Sequence, residues 1–139
     1  KALALKVSTQ IKEREWYRPV APIMLEKNAC LVTGIEHMHH LSKFMLLDFP
    51  VLKEYWLELQ GVVHATGTSR IQTINSRTEN PFMYDLLEHM DHRYQIKALI
   101  NTSFNGKGEP IVQTTEHARE SATKMKLDGI VINGKLQLL

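Results

Sequence analysis

Two stretches of this chain share a pattern that narrows the folds open to it more than any other feature. In each, a short apolar run empties into small hydroxyl, amide and glycine residues. The first is Val62-Val63-His64-Ala65-Thr66-Gly67-Thr68-Ser69-Arg70, and the second is Ala98-Leu99-Ile100-Asn101-Thr102-Ser103-Phe104-Asn105-Gly106-Lys107-Gly108. A short apolar run bounded by turn residues reads as a strand. The turn that follows then lies at a strand end, where ligands of α/β sheets commonly bind. Glycines let the backbone approach a ligand, and consecutive N–H groups form anion-binding concavities. Thr68, Ser69, Asn101, Thr102, Ser103 and Asn105 add polar groups. Arg70 and Lys107 add positive charge, and a guanidinium gives a planar fork for phosphate or carboxylate. Together the segments suggest a phosphate- or nucleotide-like ligand. Taken alone, each reads better as an ordinary polar turn that satisfies its own backbone. Two in one small domain leave both readings open. Neither matches a Walker A or dinucleotide glycine pattern.

Around these segments the chain reads as mixed helices and strands. Residues 2–14 carry helix formers, with Ala4, Leu5, Val7 and Ile11 at spacings of three and four that predict a short amphipathic helix. Pro19 and Pro22 end it, and residues 20–26 read as a strand, at a sheet edge because of Pro22. Phe44-Met45-Leu46-Leu47-Asp48-Phe49 reads as a buried strand, and Leu52 to Leu59 as helical turns stopped by Gly61. Asn80-Pro81 starts a helix to about Arg93, with Phe82, Leu86, Leu87 and Met90 inward. Thr115 is expected to cap a helix to about Met125. Ile130–Ile132 and Leu136–Leu138 read as a hairpin turned at Asn133-Gly134. The expected fold is α/β or α+β: one domain over residues 1–139, a twisted mixed sheet flanked by helices.

Composition excludes several classes. At 139 residues and 43% hydrophobic, the chain can bury a core and is not a disordered polymer. No run of about 18 apolar residues exists, so no membrane span is expected. A net charge of +2 argues against a nucleic-acid surface. The single cysteine, Cys30, excludes an internal disulfide and fits a reducing, cytoplasmic setting. With only Lys27 nearby, it reads as a structural thiol. His37-Met38-His39-His40 lacks a ligand spacing of known metal sites, so no metal site is expected there. Lys12-Glu13-Arg14-Glu15 alternates in sign and reads as a solvated helix end. Arg18, between Tyr17 and Pro19 where the helix must stop, is an anion-clamp candidate. The chain begins at Lys1, so it reads as a piece of something longer.

Read in order, three segments resemble the C-terminal region of O-carbamoyltransferases, the enzymes of nodulation-factor and antibiotic carbamoylation. They are Lys12-Glu13-Arg14-Glu15-Trp16-Tyr17-Arg18-Pro19-Val20-Ala21-Pro22, His64-Ala65-Thr66-Gly67-Thr68-Ser69-Arg70-Ile71-Gln72-Thr73, and Asn101-Thr102-Ser103-Phe104-Asn105 with Gly108-Glu109-Pro110-Ile111-Val112. Lys126-Leu127-Asp128-Gly129 also fits. The likeness covers nearly the whole chain, and the series is specific although each motif alone is weak.

The resemblance implies a YrdC-like fold that makes carbamoyl-adenylate from carbamoyl phosphate and ATP. It also implies an N-terminal Kae-like, metal-binding domain as partner, which passes the carbamoyl group to an acceptor hydroxyl. Arg18, Lys43 and Arg70 would then be catalytic, offsetting the anionic charge of the substrates. Thr68, Ser69, Asn101, Thr102, Ser103, Asn105 and Lys107 would hold phosphate oxygens or the carbamoyl amide, and Mg2+ would arrive with ATP. Two positions depart from the family pattern. Lys43, in Ser42-Lys43-Phe44-Met45, stands where relatives tend to have proline, and Thr66 stands where they are often acidic. The competing expectation is a non-catalytic module of the same enzyme that braces the catalytic domain or binds the acceptor.

Overall fold

The computed structural model describes residues 2–13 and 20–139. Helices and short mixed sheets alternate along the chain, so the fold is α+β as the pattern predicts. The chain divides into two compact units, whose described parts are residues 20–101 and residues 2–13 with 102–139.

The first unit is built on a three-stranded sheet of order β4-β1-β5, with β1 at Ala21–Leu25, β4 at Gln72–Ile74 and β5 at Leu99–Asn101. β1 is buried along its whole length. Because side chains alternate across a strand, its two faces need two covers. Helix α2 (Glu26–Thr33) and helix α3 (Pro81–Tyr94) both pack against it. Ile23, Leu25, Ile74 and Leu87 form one core cluster, with Met83, Tyr84 and Leu99 against it. Met24, Ala29, Val32 and Ile71 are fully buried as well. α3 starts where Asn80-Pro81 predicts, and the Asn80 side chain accepts from the Met83 N–H at 3.1 Å. Between these elements lie a 3-10 turn (His40–Phe44), a second 3-10 turn (Lys53–Tyr55) and the two-residue pair β2 (Phe49–Pro50) and β3 (Thr68–Ser69).

Several local expectations differ from this structure. Pro22 sits in the central strand, not at an edge. The parallel ladder to β4 begins at Ile23, one residue beyond the proline, so only β5 faces Pro22. The Phe44–Phe49 run is not a strand. Its first residue closes the 3-10 turn, Met45 takes a left-handed φ of 55°, and only Phe49 enters β2. That turn is pinned by a buried hydroxyl pair, Ser42 Oγ to Thr73 Oγ1 at 2.6 Å. In α3, Leu87 is buried as expected, but Phe82 is 55% exposed, and Met83 and Tyr84 take the inward place beside it.

The second unit contains α1 (Ala2–Leu5), which runs into a π-type turn (Lys6–Ile11). Its buried face is Ala4, Ser8 and Lys12, while Leu5 is exposed, so the inward stripe is shifted by one position from the apolar pattern. Helix α4 (Thr115–Lys124) is capped by Thr114, whose hydroxyl accepts from the His117 N–H, one residue earlier than expected. β6 (Gly129–Ile132) and β7 (Lys135–Leu138) form the predicted hairpin. Asn133 and Gly134 have φ of 50° and 75°, the paired positive values of a type I′ turn. Ile130 and Ala122 are buried where β6 packs on α4. Among the described residues, no helix is long and apolar enough to cross a membrane.

Candidate functional site

In the first unit, sheet register explains why distant motifs share one end. Ala21 pairs with Asn101, and Ile23 pairs with Gln72. β4 runs parallel to β1 and β5 antiparallel to it. The start of β1, the approach to β4 through Arg70, and the end of β5 at Asn101 therefore come to the same edge of the sheet. Gln72 ties this edge together. Its amide nitrogen donates to the Lys43 carbonyl at 2.8 Å, and its oxygen accepts from the Asn101 side-chain amide. Arg70 is exposed and makes no ion pair or hydrogen bond with a described residue, so its guanidinium is available to an anion. The Lys43 ammonium is engaged by Glu79, whose carboxylate also accepts from the Asn75 N–H. That bond to Lys43 holds the Glu79 carboxyl below its ordinary value.

The turn before Arg70 is closed by its own backbone. The Gly67 N–H donates to the His64 carbonyl at 2.9 Å, and the His64 N–H to the Thr68 carbonyl at 2.7 Å. Gly67 has φ 80°, and a Cβ there would lie 2.5 Å from Cζ2 of Trp56, so both conformation and space require glycine. The Thr68 hydroxyl donates to Asp48 at 2.6 Å, lies 2.9 Å from Thr66 Oγ1, and is 3.3 Å from Nδ1 of His64. Asp48 and His64 are 3.6 Å apart, so a carboxylate from another segment stands against Thr68 and His64 in this turn. Ser69 is fully buried and its hydroxyl donates to the Val62 carbonyl at 2.8 Å, which makes it a brace of the turn.

In the second unit, Lys12 organises the other polar turn. The residue is 5% exposed. Its ammonium donates to the Ser103 carbonyl at 2.9 Å, the Asn105 carbonyl at 2.6 Å and Asn105 Oδ1 at 2.8 Å, with Ser103 Oγ at 3.4 Å. Ser103 Oγ donates to Asn105 Oδ1 at 2.6 Å, and the Asn105 amide donates to the Glu109 carbonyl at 2.8 Å. The turn thus has its acceptors gathered on one buried cation. Thr102 is half-buried, and Lys107 is exposed without an ion pair among the described residues. Arg18 lies outside the described residues.

Lys12 is the functional candidate that reading charge signs misses. Alternating charges predicted a solvated helix end, yet this lysine is buried and its partners lie about ninety residues away. One signal was available: Ala4 and Ser8 are small residues four apart, and Lys12 continues their stripe.

The remaining candidates have local jobs. His39 Nδ1 accepts from the Leu41 N–H and caps the 3-10 turn at His40–Phe44. The Cys30 thiol donates to the Glu36 carbonyl, and burial pushes its pKa up, which disfavours the thiolate. Among the described residues no group of three or more His, Cys, Asp or Glu side chains is placed to hold a metal.

Residues 1–137 match the family described as carbamoyltransferase C-terminus. The chain is 33% identical over 127 residues to nodulation protein NolO of Bradyrhizobium diazoefficiens, covering 91% of this chain and 23% of that protein. It is 33% identical over 131 residues to nodulation protein NolNO of Sinorhizobium fredii, covering 94% of this chain and 19% of that one. It is 32% identical over 105 residues to the 3'-hydroxymethylcephem-O-carbamoyltransferase of Amycolatopsis lactamdurans, covering 74% and 19%. The chain therefore belongs to the carbamoyltransferase C-terminus family. It spans about a fifth of the length of these relatives.

Proposed function

We propose that this chain is the donor-activating part of an O-carbamoyltransferase. It binds ATP, with its Mg2+, and carbamoyl phosphate, and forms carbamoyl-adenylate. A Kae-like domain of the parent protein then transfers the carbamoyl group to an acceptor hydroxyl. In this reading water takes the phosphoryl group of carbamoyl phosphate as inorganic phosphate. An oxygen of the carbamate left behind forms a bond to the α-phosphorus of ATP, and the bond to the β,γ-phosphates breaks to release pyrophosphate. Two anionic reactants must be brought together, so the protein's part is charge compensation and alignment.

The observation that carries the reading is the Lys12 ammonium buried on the Ser103–Asn105 turn. A preset turn whose carbonyls face a fixed cation leaves its other groups oriented before a ligand arrives, which lowers the ordering cost of binding. Arg70 supplies a free guanidinium, and Lys107 a second exposed cation. Asn101 stands at the sheet end that Gln72 ties together, and Thr68 lies in the turn before Arg70 that Ser69 braces. Thr102 and Ser103 offer hydroxyls, and Asn105 an amide, on the second turn. Arg18 and Lys43 complete the positive charge, Lys43 on release from Glu79. A YrdC-like fold and a cytoplasmic setting belong to the same reading.

Titration calorimetry of the chain with Mg-ATP, with and without carbamoyl phosphate, tests it. Saturable binding is expected, and Arg70→Ala should abolish it while leaving the thermal midpoint within a degree or two. An Arg70→Ala chain that unfolds makes that residue structural. No binding by a folded wild-type chain supports the second reading, a non-catalytic bracing module. That reading is favoured by Lys43 and Ser69, whose polar groups are already engaged inside the first unit.

A further inference from the structure

The chain carries one tripeptide twice, as Asn105-Gly106-Lys107 and as Asn133-Gly134-Lys135. Asparagine is chemically labile, and most so before glycine. The nitrogen of the next residue attacks the side-chain carboxamide, and glycine has no Cβ to obstruct the approach. The two copies have the same covalent chemistry, so the fold decides which of them reacts.

At Asn105-Gly106 both reacting groups are held. Asn105 is half-buried. Its Oδ1 accepts from the Lys12 ammonium at 2.8 Å and from the Ser103 hydroxyl at 2.6 Å, and its Nδ2 donates to the Glu109 carbonyl at 2.8 Å. The attacking nitrogen is engaged too, since the Gly106 N–H donates to Glu109 Oε2 at 3.3 Å. Space is short as well, because a Cβ on Gly106 would lie 2.7 Å from that same oxygen. The carboxamide cannot swing onto the Gly106 nitrogen without giving up its three side-chain bonds.

At Asn133-Gly134 neither group is held. Both residues are exposed at the tip of the β6–β7 hairpin. Neither the Asn133 carboxamide nor the Gly134 N–H makes a hydrogen bond with a described residue. A Cβ on Gly134 would meet nothing within 4 Å, so the tip can turn without displacing a neighbour. Ring closure requires Asn133 to leave its φ of 50°, which opens the last pair of the ladder, Ile132 with Lys135. That pair ends a two-stranded sheet and is flanked by exposed residues, the setting in which local opening costs least.

We propose that Asn133 is a site of spontaneous modification, converted in the folded chain to isoaspartate and aspartate, while Lys12, Ser103 and Glu109 keep Asn105 intact. The Gly134 nitrogen forms a bond to Cγ of Asn133, the bond from Cγ to Nδ2 breaks, and ammonia leaves with the Gly134 proton. Water then opens the cyclic imide at either carbonyl. In the isoaspartate product the main chain runs through the side-chain carbon, which lengthens a loop built for two ordinary residues. The type I′ turn and the Ile132–Lys135 pairing are lost, and the hairpin frays from its tip toward the part that packs on α4. The inference does not rest on the donor chemistry proposed above.

The test is peptide mapping by mass spectrometry of the 139-residue chain, held at neutral pH and physiological temperature in oxygen-labelled water, both folded and in urea. In urea the two tripeptides should convert at similar rates. In the folded chain Asn133 should convert and take up the label. Asn105 should lag by on the order of a hundredfold, because three hydrogen bonds at about fivefold each must be broken first. Glu109→Ala releases the Gly106 nitrogen and should speed Asn105 about fivefold, with Asn133 unchanged; Ser103→Ala, which removes one bond from Asn105 Oδ1, should do the same. Hydrogen exchange of the purified isoaspartate form should be faster over 129–138 and unchanged over 21–25. The proposal is overturned if Asn133 stays intact in the folded chain, or if the ratio of the two rates is the same folded as in urea. It is equally overturned if both variants leave Asn105 as slow as before, or if the isoaspartate form exchanges as the unmodified chain does.

Discussion

Replacing Gly67 by alanine separates two physical requirements of the turn that precedes Arg70. The backbone has φ 80°, a left-handed conformation that costs an L-residue about 1–2 kcal/mol. The new Cβ would also lie 2.5 Å from the Trp56 ring, where no carbon fits. Trp56 cannot retreat freely, because its Nε1 donates to the Val51 carbonyl at 2.8 Å while the Val51 N–H donates to the Gly67 carbonyl at 2.9 Å. Displacing the ring loses the tryptophan bond, worth about 1 kcal/mol net. The expected loss is therefore about 2–3 kcal/mol, near the upper end of ordinary single substitutions. For a chain of this size that moves the urea midpoint by about 1–2 M, read by far-UV circular dichroism. The steric part should vanish when Trp56 is Leu, so a double-mutant cycle should show coupling of about 1 kcal/mol. A loss under about 0.5 kcal/mol, or a cycle without coupling, refutes the argument, since either result means that ring and turn move together at no cost.

Two further outcomes follow from the buried Lys12 ammonium and from the Lys43–Glu79 ion pair. Lys12→Met keeps the apolar stem but leaves the acceptors of Ser103 and Asn105 without their cation. A loss of about 2–4 kcal/mol is expected, with a shift of the Asn105 side-chain amide signal; a loss below about 0.5 kcal/mol would show that the turn holds itself. The Glu79 carboxyl titrates below its ordinary value because Lys43 binds its charged form. Its contribution is fully present above the unfolded value and is lost as pH falls through the folded one. Lys43→Met should flatten the stability curve in that acid window and change only the Lys43 ion-pair contribution above it. An unchanged acid limb would remove the pair from the account.

What the sequence made legible was what local chemistry controls. Asn133-Gly134 and Asn80-Pro81 act within a few residues, so the hairpin and the start of α3 were readable without any tertiary knowledge. The Thr114 cap was missed by one residue because two adjacent threonines offer the same hydroxyl. Pro22 was placed at an edge because a proline lacks a ladder donor, and only the register with β4 shows how a central strand accommodates it. Phe44 to Phe49 failed for a related reason: an apolar run does not say whether its backbone is extended, and the pin from Ser42 to Thr73 decided it. Of the site, the two polar turns and Arg70 were visible as residue types in order. Lys12, Asp48 and Gln72 acquired roles only through partners remote in sequence.

The position of β1 also sets a timetable for synthesis. Its neighbours are encoded far downstream, at Gln72–Ile74 and Leu99–Asn101. As the chain leaves the ribosome, Ile23-Met24-Leu25 emerges with nothing to pair with and with both faces bare. Pairings this remote form slowly and leave apolar strand edges open to other chains in the interval. A segment buried along its whole length in the finished fold thus waits for strand partners made some fifty to eighty residues later. A nascent chain stopped short of Asn101 would expose it as a handle for holding chaperones.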